Sequence, residues 1–486
     1  MVKKVETQRI RRKSINKKNK SKKAIRKNVI SKNKKGSRSK NRSRSKNGGN
    51  SLMVQLETSS ERLGNFIKTT CPDGGFCLGL GIESEKINAY FKNYNFEYMI
   101  KPITLISKGN NGFVNEVIYS RNDYQVSTIL KSSLVANARS TRHDGDNLYY
   151  EAFVGFTTTN KYSYKYPCFI ETYNMYNSTW DLNNKLKYNS ESCTKRDLVE
   201  GLAKISYQGL GMTEFIRQSC KNKYVSLSVQ NVPNAISLYD FVRQIELDSV
   251  EIYDSILCTM LCQVYFVLSS LGDKFTHYDL HNQNVLIYQF SNDTYINMNY
   301  HYSDGKTISF PTLSIVKMID YGRCYTPETE TYYNAVCRLT ECYDKNDKMD
   351  VCGSTKGYTY FDNVQQYSNH YISQKMPNVS HDLRLSVLEP YINPTIFNQM
   401  NIMGPILSRV CYDGQYGTPS IKKDMEPTDG RIYNIFQMAN KLEETVETHP
   451  GIMAYKNKIN DIGLTCIGDL HIYMDSNKDM KFIPSS

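Results

Sequence analysis

The hydrophobic and polar positions divide the chain into a polar beginning, a stretch of alternating apolar residues and a later stretch with one long apolar run. Alternation over Ile103–Ser120 and Tyr124–Leu134 is typical of β-strands, because successive strand side chains point to opposite faces. A Gly-containing turn in the first of these stretches indicates a hairpin. The run Ile256–Leu271 is interrupted by polar residues and is short for a membrane span, so it predicts a buried helix.

Two polar stretches interrupt this pattern. Residues 174–224 are rich in Lys and Asn and predict an insertion before the strand that ends near Gln230. Residues Asn292–Thr307 separate the β-prone runs V-L-I-Y and S-I-V-K-M-I, and they predict a second insertion in the form of a hairpin.

Positive charge is concentrated at the beginning of the chain. The net charge is +13, but residues 1–50 hold 21 of the 61 Lys and Arg residues and a single acid, Glu6, so the remaining body is mildly acidic. This tail has too little apolar surface to offset the entropy of ordering, and we expect it to be disordered. It favours non-specific contact with nucleic-acid phosphates or a nuclear import signal, and a solubilising tail is the alternative.

Cysteine usage and the first residues predict an intracellular protein. The 13 cysteines include no C-x-x-C pair and no His/Cys cluster at zinc spacing, which favours reduced thiols. The first fifty residues contain no apolar core, so we expect neither a signal peptide nor a membrane partner.

The densest group of chemically active residues lies in Phe275–Tyr288, which reads F-T-H-Y-D-L-H-N-Q-N-V-L-I-Y. The carboxylate of Asp279 is followed along the chain by the amide of Asn284. This pair suits a hydroxyl nucleophile and magnesium, because that ion prefers hard oxygen ligands. The alternative interpretation is an ordinary polar loop between a helix and a strand.

The spacing His-x-Asp-x-x-x-x-Asn resembles the catalytic loop of the protein kinase superfamily. The resemblance implies that Asp279 accepts the proton of the nucleophile, that Asn284 binds a metal ion and that His277 has a structural role. His281 stands where many protein kinases have Lys, which makes it a further candidate catalytic residue. The pattern D-L-H-x-x-N also resembles small-molecule phosphotransferases related to kinases, such as aminoglycoside and choline kinases.

The segment I-S-K-G-N-N-G-F-V resembles the Gly-rich loop that covers the ATP phosphates in this family. Ser107 stands in the position of the first glycine. Gly109 and Gly112 occupy the other two positions, and Val114 is the residue expected to pack on the adenine. A hairpin turn that contacts no nucleotide is the alternative.

Further residues follow in the family's order. Lys131 lies near the end of the second β-prone run. The resemblance implies that it binds the α- and β-phosphates and that Glu151 pairs with it. Backbone groups from Gln230 to Val232 would bind the adenine edge. The alternative for both charged residues is an exposed position on the surface.

The motif D-Y-G at Asp320 resembles the kinase D-F-G, with tyrosine in place of phenylalanine. It implies that Asp320 binds the magnesium ion bridging the phosphates and that Gly322 has a structural role. In S-H-D-L-R-L-S-V-L, Asp382 is expected to anchor the catalytic-loop backbone. A rival placement uses Tyr416–Ser420 as the substrate-binding loop and Asp429 as the anchor, but it requires a longer insertion.

Together these motifs imply an α+β, two-lobed protein-kinase-like fold, with a β-rich N-lobe and a mainly helical C-lobe, preceded by a disordered basic tail. The expected organisation is a tail at 1–50, an N-terminal extension at 51–100, an N-lobe at 101–232 with an insertion near 174–224, and a C-lobe at 233–470 with insertions near 292–307 and 324–376.

The chain looks most like the divergent Ser/Thr protein kinases of large (giant) DNA viruses. This resemblance implies a kinase that uses ATP and Mg²⁺ on an unidentified protein substrate, in the host cytoplasm, the nucleus or the virion. Two alternatives stay open: a small-molecule phosphotransferase on the same fold, and a pseudokinase that binds nucleic acid through its tail. The chain has all four of the polar residues that phosphotransfer needs, which weighs against the pseudokinase: Lys131, Asp279, Asn284 and Asp320.

Overall fold

The computed structural model describes residues 82–108, 112–121, 124–134, 148–207, 212–219, 224–290, 293–336, 358–361, 369–387, 393–412, 430–461 and 463–485. The basic tail and most of the 51–100 extension lie outside these ranges, as does much of the 324–376 stretch. Gly109, the rival loop Tyr416–Ser420 and Asp429 also lie outside the described residues.

The first part of the described chain builds an antiparallel sheet. Its strands are β1 (Thr104–Lys108), β2 (Phe113–Arg121), β3 (Tyr124–Leu134), β4 (Thr172–Ser178), β5 (Leu202–Ile205) and β6 (Tyr224–Gln230). The six strands lie in the order β1-β2-β3-β6-β4-β5, and every neighbouring pair is antiparallel. The β1–β2 hairpin predicted from the alternating residues is therefore confirmed.

Strand β2 shows why this sheet is stable. Buried and partly exposed residues alternate along it, as expected for a strand with one face against a core. Its buried Val117 and Tyr119 belong to a cluster that also contains Phe91, which follows helix α1 (Ile82–Tyr90). The last residues of the 51–100 extension thus help to cover one face of the sheet.

Five further helices belong to this part of the chain: α2 (Leu148–Val154), α3 (Asn160–Ser163), α4 (Trp180–Tyr188), α5 (Lys195–Gly201) and α6 (Met212–Ser219). Helix α2 is buried at every position and continues through a π-helical turn into α3. The polar stretch 174–224 contains α4, α5, α6 and the edge strand β5. Some of its polar residues cap helices, since Thr194 forms a capping box with Asp197 at the start of α5.

The second part is organised around one long helix. Its helices are α7 (Leu238–Gln244), α8 (Val250–Leu271), α9 (Thr329–Val336), α10 (Pro394–Phe397), α11 (Met403–Leu407), α12 (Ile435–Thr448) and α13 (Pro450–Asp461). The predicted buried helix is confirmed as α8, which packs against α11, α12 and α13. Buried Asp254 on α8 accepts the backbone N–H groups of Ile402 and Met403 at 2.7 and 2.8 Å.

Smaller sheets complete this part. Their strands are β7 (Ile236–Ser237), β8 (Val285–Gln289), β9 (Thr294–His301), β10 (Thr307–Thr312), β11 (Ser314–Met318), β12 (Tyr358–Phe361), β13 (Asn369–Ile372), β14 (Thr465–Tyr473) and β15 (Lys481–Pro484). They form the sheets β11-β8-β7, β10-β9-β14-β15 and β12-β13. Residues 293–307, the described part of the polar stretch, lie in the antiparallel hairpin β9–β10 or directly before it, and β9 pairs in parallel with β14.

The structure is mixed α+β with mainly antiparallel sheets. Within the described residues, the stretch Val250–Lys274 has the length and composition of a membrane-crossing helix. However, 89% of its most apolar window is buried inside the protein, which is the environment of a core helix.

Candidate active site

The loop between α8 and β8 is closed by its own hydrogen bonds. The N–H of His281 donates to the carbonyl of Asp279 at 3.0 Å, and the N–H of Asn284 donates to the carbonyl of His281 at 2.8 Å. The side-chain amide of Asn284 also donates to the carbonyl of Asp279, at 2.9 Å. These bonds hold Asn284 against Asp279. They commit the nitrogen of the side-chain amide, while its oxygen accepts no hydrogen bond within the described residues.

Asp382 holds the same loop from outside. Its two carboxylate oxygens accept the backbone N–H groups of His277, at 2.8 Å, and Tyr278, at 3.1 Å. This is the backbone contact that the sequence led us to expect of Asp382. Burial raises the pKa of its carboxyl to about 7, although the two N–H donors act in the opposite direction. Tyr278 has a φ of 60°, a conformation that costs energy for a non-glycine residue and that persists because the loop is held at both ends.

We expect Asp382→Ala to lower the unfolding free energy by about 2 kcal/mol or more, because two buried N–H groups lose their acceptor. Asp382→Asn should fall between the alanine variant and the wild type, since its amide retains one acceptor oxygen. Urea unfolding of the purified chain measures the effect. Asp273→Ala, at an exposed position just before the loop, is the matched control. Equal midpoints for the Asp382→Ala variant and the wild type would contradict the anchoring role.

A second group of charged residues forms where the six-stranded sheet meets helix α2. The Lys131 amine lies 2.6 Å from Glu151 and 3.4 Å from Asp320, so one cation bridges two carboxylates. Burial raises the pKa of Glu151, which is 1% exposed, and the positive charge of Lys131 opposes this shift. The ion pair predicted between Lys131 and Glu151 is therefore present, and it includes Asp320.

The loop that contains Asp279 and the charged group around Lys131 meet at Ile319 and Asp320. The N–H of Ile319 donates to the carbonyl of Asn284, and its carbonyl lies 3.0 Å from Nε2 of His277. Burial lowers the pKa of His277 to about 4, so the ring is neutral and Nε2 carries the hydrogen that this carbonyl accepts. Asp320 has a φ of 72°. A second strained residue thus lies at the point where both groups converge.

The two residues after Asp320 are fixed by hydrogen bonds. The hydroxyl of Tyr321 donates to the carbonyl of Met318 at 2.7 Å and accepts the N–H of Ile170 at 3.1 Å. Tyrosine in place of phenylalanine is therefore accommodated with a buried, fully paired hydroxyl. The carbonyl of Gly322 accepts the side-chain amide of Gln374 at 2.7 Å.

Two arginines that the motifs did not identify contact the carboxylate of Asp279. Nη1 of Arg384 lies 3.0 Å and Nη1 of Arg323 lies 3.2 Å from Oδ1 of Asp279. Burial raises the pKa of this carboxyl, but Arg323, His281 and Arg384 outweigh burial and lower the pKa to about 2. Burial also lowers the pKa of His281, whose Nε2 lies 3.9 Å from the same oxygen. Asp279 is therefore an anion at any physiological pH.

Two of the residues predicted to cover a nucleotide, Gly112 and Val114, lie next to the strand that carries Lys131. Val114 pairs with Ser107 across β1–β2 and is directly opposite Lys131 across β2–β3. Gly112 approaches β3 so closely that a Cβ there would lie 2.2 Å from the carbonyl oxygen of Ser132. Packing alone thus requires glycine at this position, whether or not a nucleotide binds.

The residues predicted to bind an adenine edge lie at the end of β6. Gln230 cannot offer its N–H, because that group already donates to the carbonyl of Glu171 at 2.8 Å. Val232 is buried and its carbonyl accepts the N–H of Ala235, while its own N–H makes no hydrogen bond within the described part of the chain. Of the two positions, Val232 retains a donor for a ligand.

Asn284 and Asp320 supply oxygen donors of the kind that magnesium binds. The amide oxygen of Asn284 is uncommitted within the described residues, and Asp320 adds a carboxylate whose side chain is 23% exposed. Both are the hard oxygen ligands that Mg²⁺ prefers. The described residues contain no group of three or more His, Cys, Asp or Glu side chains able to hold a metal by themselves. A magnesium ion held by one or two side chains and by substrate phosphates does not need such a group.

The chain matches no known protein-family model, and no curated protein is detectably similar to it. Any function must therefore be argued from the geometry of this site.

Proposed function

We propose that the protein is an ATP- and Mg²⁺-dependent phosphotransferase, a Ser/Thr protein kinase that moves the γ-phosphate of ATP to a protein hydroxyl. The observation that carries the proposal is the convergence of two groups of residues that are distant in sequence. Lys131 contacts both Glu151 and Asp320, and Asp320 follows Ile319, whose backbone is bonded to the loop of Asp279. An ordinary polar loop does not require this convergence.

The roles follow from charge and position. Lys131, held by Glu151, would bind the α- and β-phosphates, and the N–H of Val232 would meet the adenine. Asn284 and Asp320 would hold magnesium, which when bound neutralises charge on the β- and γ-phosphates. Asp279 would accept the proton of the acceptor hydroxyl while the oxygen of that hydroxyl attacks the γ-phosphorus. The bond between the γ-phosphorus and the oxygen that joins it to the β-phosphate breaks, and the electron pair of this bond leaves with ADP.

The same proposal includes a two-lobed, kinase-like arrangement. The six-stranded sheet with α2 would be the nucleotide-binding lobe, and the part built around α8 would be the catalytic lobe. The connection after β6, at Gln230–Val232, would join them. What supports this reading is that Lys131 and Glu151 belong to the first part, whereas Asp320 and Asp279 belong to the second.

The test is transfer of radiolabelled γ-phosphate from ATP with magnesium. Acidic, basic and neutral proteins should be assayed beside aminoglycosides and choline. We expect labelled serine or threonine in at least one protein. Label on the small molecules alone would identify the second candidate, a small-molecule phosphotransferase, for which the D-L-H sequence at His281 argues. Absence of transfer to every acceptor would refute the proposal and favour a binding protein.

Residues 1–50 are proposed to bind nucleic acid through their positive charge alone. We expect binding of random duplex DNA to weaken by about 10-fold or more between 50 and 200 mM salt, through release of counterions. Deletion of the tail should abolish this binding while leaving phosphate transfer to a small acceptor unchanged. Filter binding of the full-length and truncated chains at the two salt concentrations measures the effect. If the truncated chain binds as tightly as the full-length chain, the tail is not the nucleic-acid site.

A further inference from the structure

The carboxylate of Asp279 is held on one side only. Both guanidinium contacts, from Arg384 and Arg323, reach Oδ1. The ring of a third neighbour, His281, is also nearest to Oδ1, with Nε2 at 3.9 Å. Within the part of the chain that the structure describes, no hydrogen bond or ion pair reaches Oδ2. The carboxylate therefore has one committed oxygen and one oxygen able to accept a proton.

The two arginines come from segments that are far apart along the chain. Arg323 directly follows the D-Y-G motif, and Arg384 lies two residues after Asp382, the residue that anchors the loop. Their side chains are 8% and 5% exposed. A long cationic side chain is costly to bury, and a buried ion pair seldom adds net stability over apolar residues of the same size. Stability alone is thus a poor explanation for placing two arginines on one buried carboxylate oxygen.

The loop itself does not determine where this carboxylate points. The hydrogen bonds from His281 and Asn284 reach the backbone carbonyl of Asp279 and not its side chain. The preceding Tyr278 is in a strained conformation. The orientation of the side chain is instead restrained by the two planar guanidinium groups, one from each segment. Two guanidinium contacts to the same oxygen restrain the carboxylate more than a single contact would.

We propose that Arg323 and Arg384 are positioning residues: they hold Oδ1 of Asp279 so that Oδ2 stays available to take the proton of the acceptor hydroxyl. This inference rests on the proposed phosphotransfer. In that step the hydroxyl proton moves to Oδ2, the new oxygen–phosphorus bond forms and the bond to ADP breaks. In this role the arginines act on the reaction through the orientation of the base.

The experiment separates kcat from KM for ATP in single variants of the full chain. We expect Arg384→Gln and Arg323→Gln each to lower kcat by about 10- to 100-fold, the cost of a misplaced catalytic group, with KM for ATP changed less than about twofold. Arg384→Lys should restore part of kcat, because it keeps the charge but loses the planar fork. Arg409→Gln, at an exposed arginine, is the matched control and should leave both constants unchanged.

A purely structural role would give a different result. Lower thermal stability with an unchanged kcat in both glutamine variants would overturn the inference. If Arg384→Gln does not fold, Arg323→Gln and Arg384→Lys decide the question in the same way, because each predicts a reduced kcat at constant KM. The proposed function fails separately, when the wild-type chain itself transfers phosphate to no acceptor. An active wild type with fully active arginine variants refutes the positioning role alone.

Discussion

Replacing Asp279 with asparagine is expected to reduce phosphate transfer by at least about 100-fold, the lower end of the contribution of a general base. The amide has nearly the same shape as the carboxylate, but it cannot accept the hydroxyl proton at neutral pH. Binding of Mg-ATP should survive, since the groups proposed to hold it are Lys131, Asn284 and Asp320. The γ-phosphate assay and an ATP thermal shift, measured on the same preparation, test both parts.

The structure adds a second consequence to this substitution. Asp279 neutralises charge on Arg323 and Arg384, so its loss leaves two nearly buried cations without that carboxylate. We therefore expect a lower melting temperature in addition to the loss of activity. Asp273→Asn makes the same chemical change at an exposed position and should alter neither property. Turnover close to wild type in the Asp279→Asn variant would eliminate this loop as the catalytic centre.

The second large effect is expected at Asp320. Asp320→Ala removes one of two proposed magnesium ligands and one of the two carboxylates near Lys131. At an ATP concentration of about 100 times Kd, binding should stabilise the wild-type chain by about 2.7 kcal/mol in the presence of magnesium. The variant should lose the magnesium-dependent part of this gain. Thermal shifts with ATP, with and without magnesium, measure the difference.

A matched control for this measurement lies in the β9–β10 turn. Asp304 is exposed, and among the residues that the structure describes its carboxylate accepts one hydrogen bond, from the local backbone N–H of Lys306 at 2.9 Å. Asp304→Ala should therefore retain the full magnesium-dependent shift. A retained shift in the Asp320→Ala variant would show that magnesium is held elsewhere, and the assignment of the D-Y-G motif would then be wrong.

Much of the site could be predicted because several of its residues lie close together in the sequence. The spacing from Asp279 to Asn284 is a property of one loop, and hydrogen bonds inside that loop bring the two together. Strand β2 could be predicted from alternating apolar residues, because one of its faces is buried. Helix α8 could be predicted from a continuous apolar run, because it is buried along most of its length. The placement of Glu151 near Lys131 followed from the family resemblance, and the short contact between them is present in the structure.

The predictions for the two polar stretches did not include the partners of the strands inside them. Residues 174–224, predicted as an insertion, contain β5 and most of β4, and these two strands pair at the edge of the sheet. Strand β9 pairs with β14, near the other end of the chain, although the sequence indicated only a hairpin with β10. Strand β5 has only four residues, which is a weak pattern, whereas β9 alternates buried and half-buried positions over eight residues. In both cases the pairing partner is set by long-range packing.

The sequence by itself determined the order of the chemical groups, the strands and buried helix that carry them, and the separation of a basic tail from an acidic body. These follow from local spacing, periodicity and composition. Only the tertiary structure decided that Arg323 and Arg384 meet on Oδ1 of Asp279 and that packing against β3 leaves no room for a side chain at Gly112. The physical reason is that side-chain direction and backbone approach depend on segments far apart along the chain, and a linear pattern does not contain their relative positions.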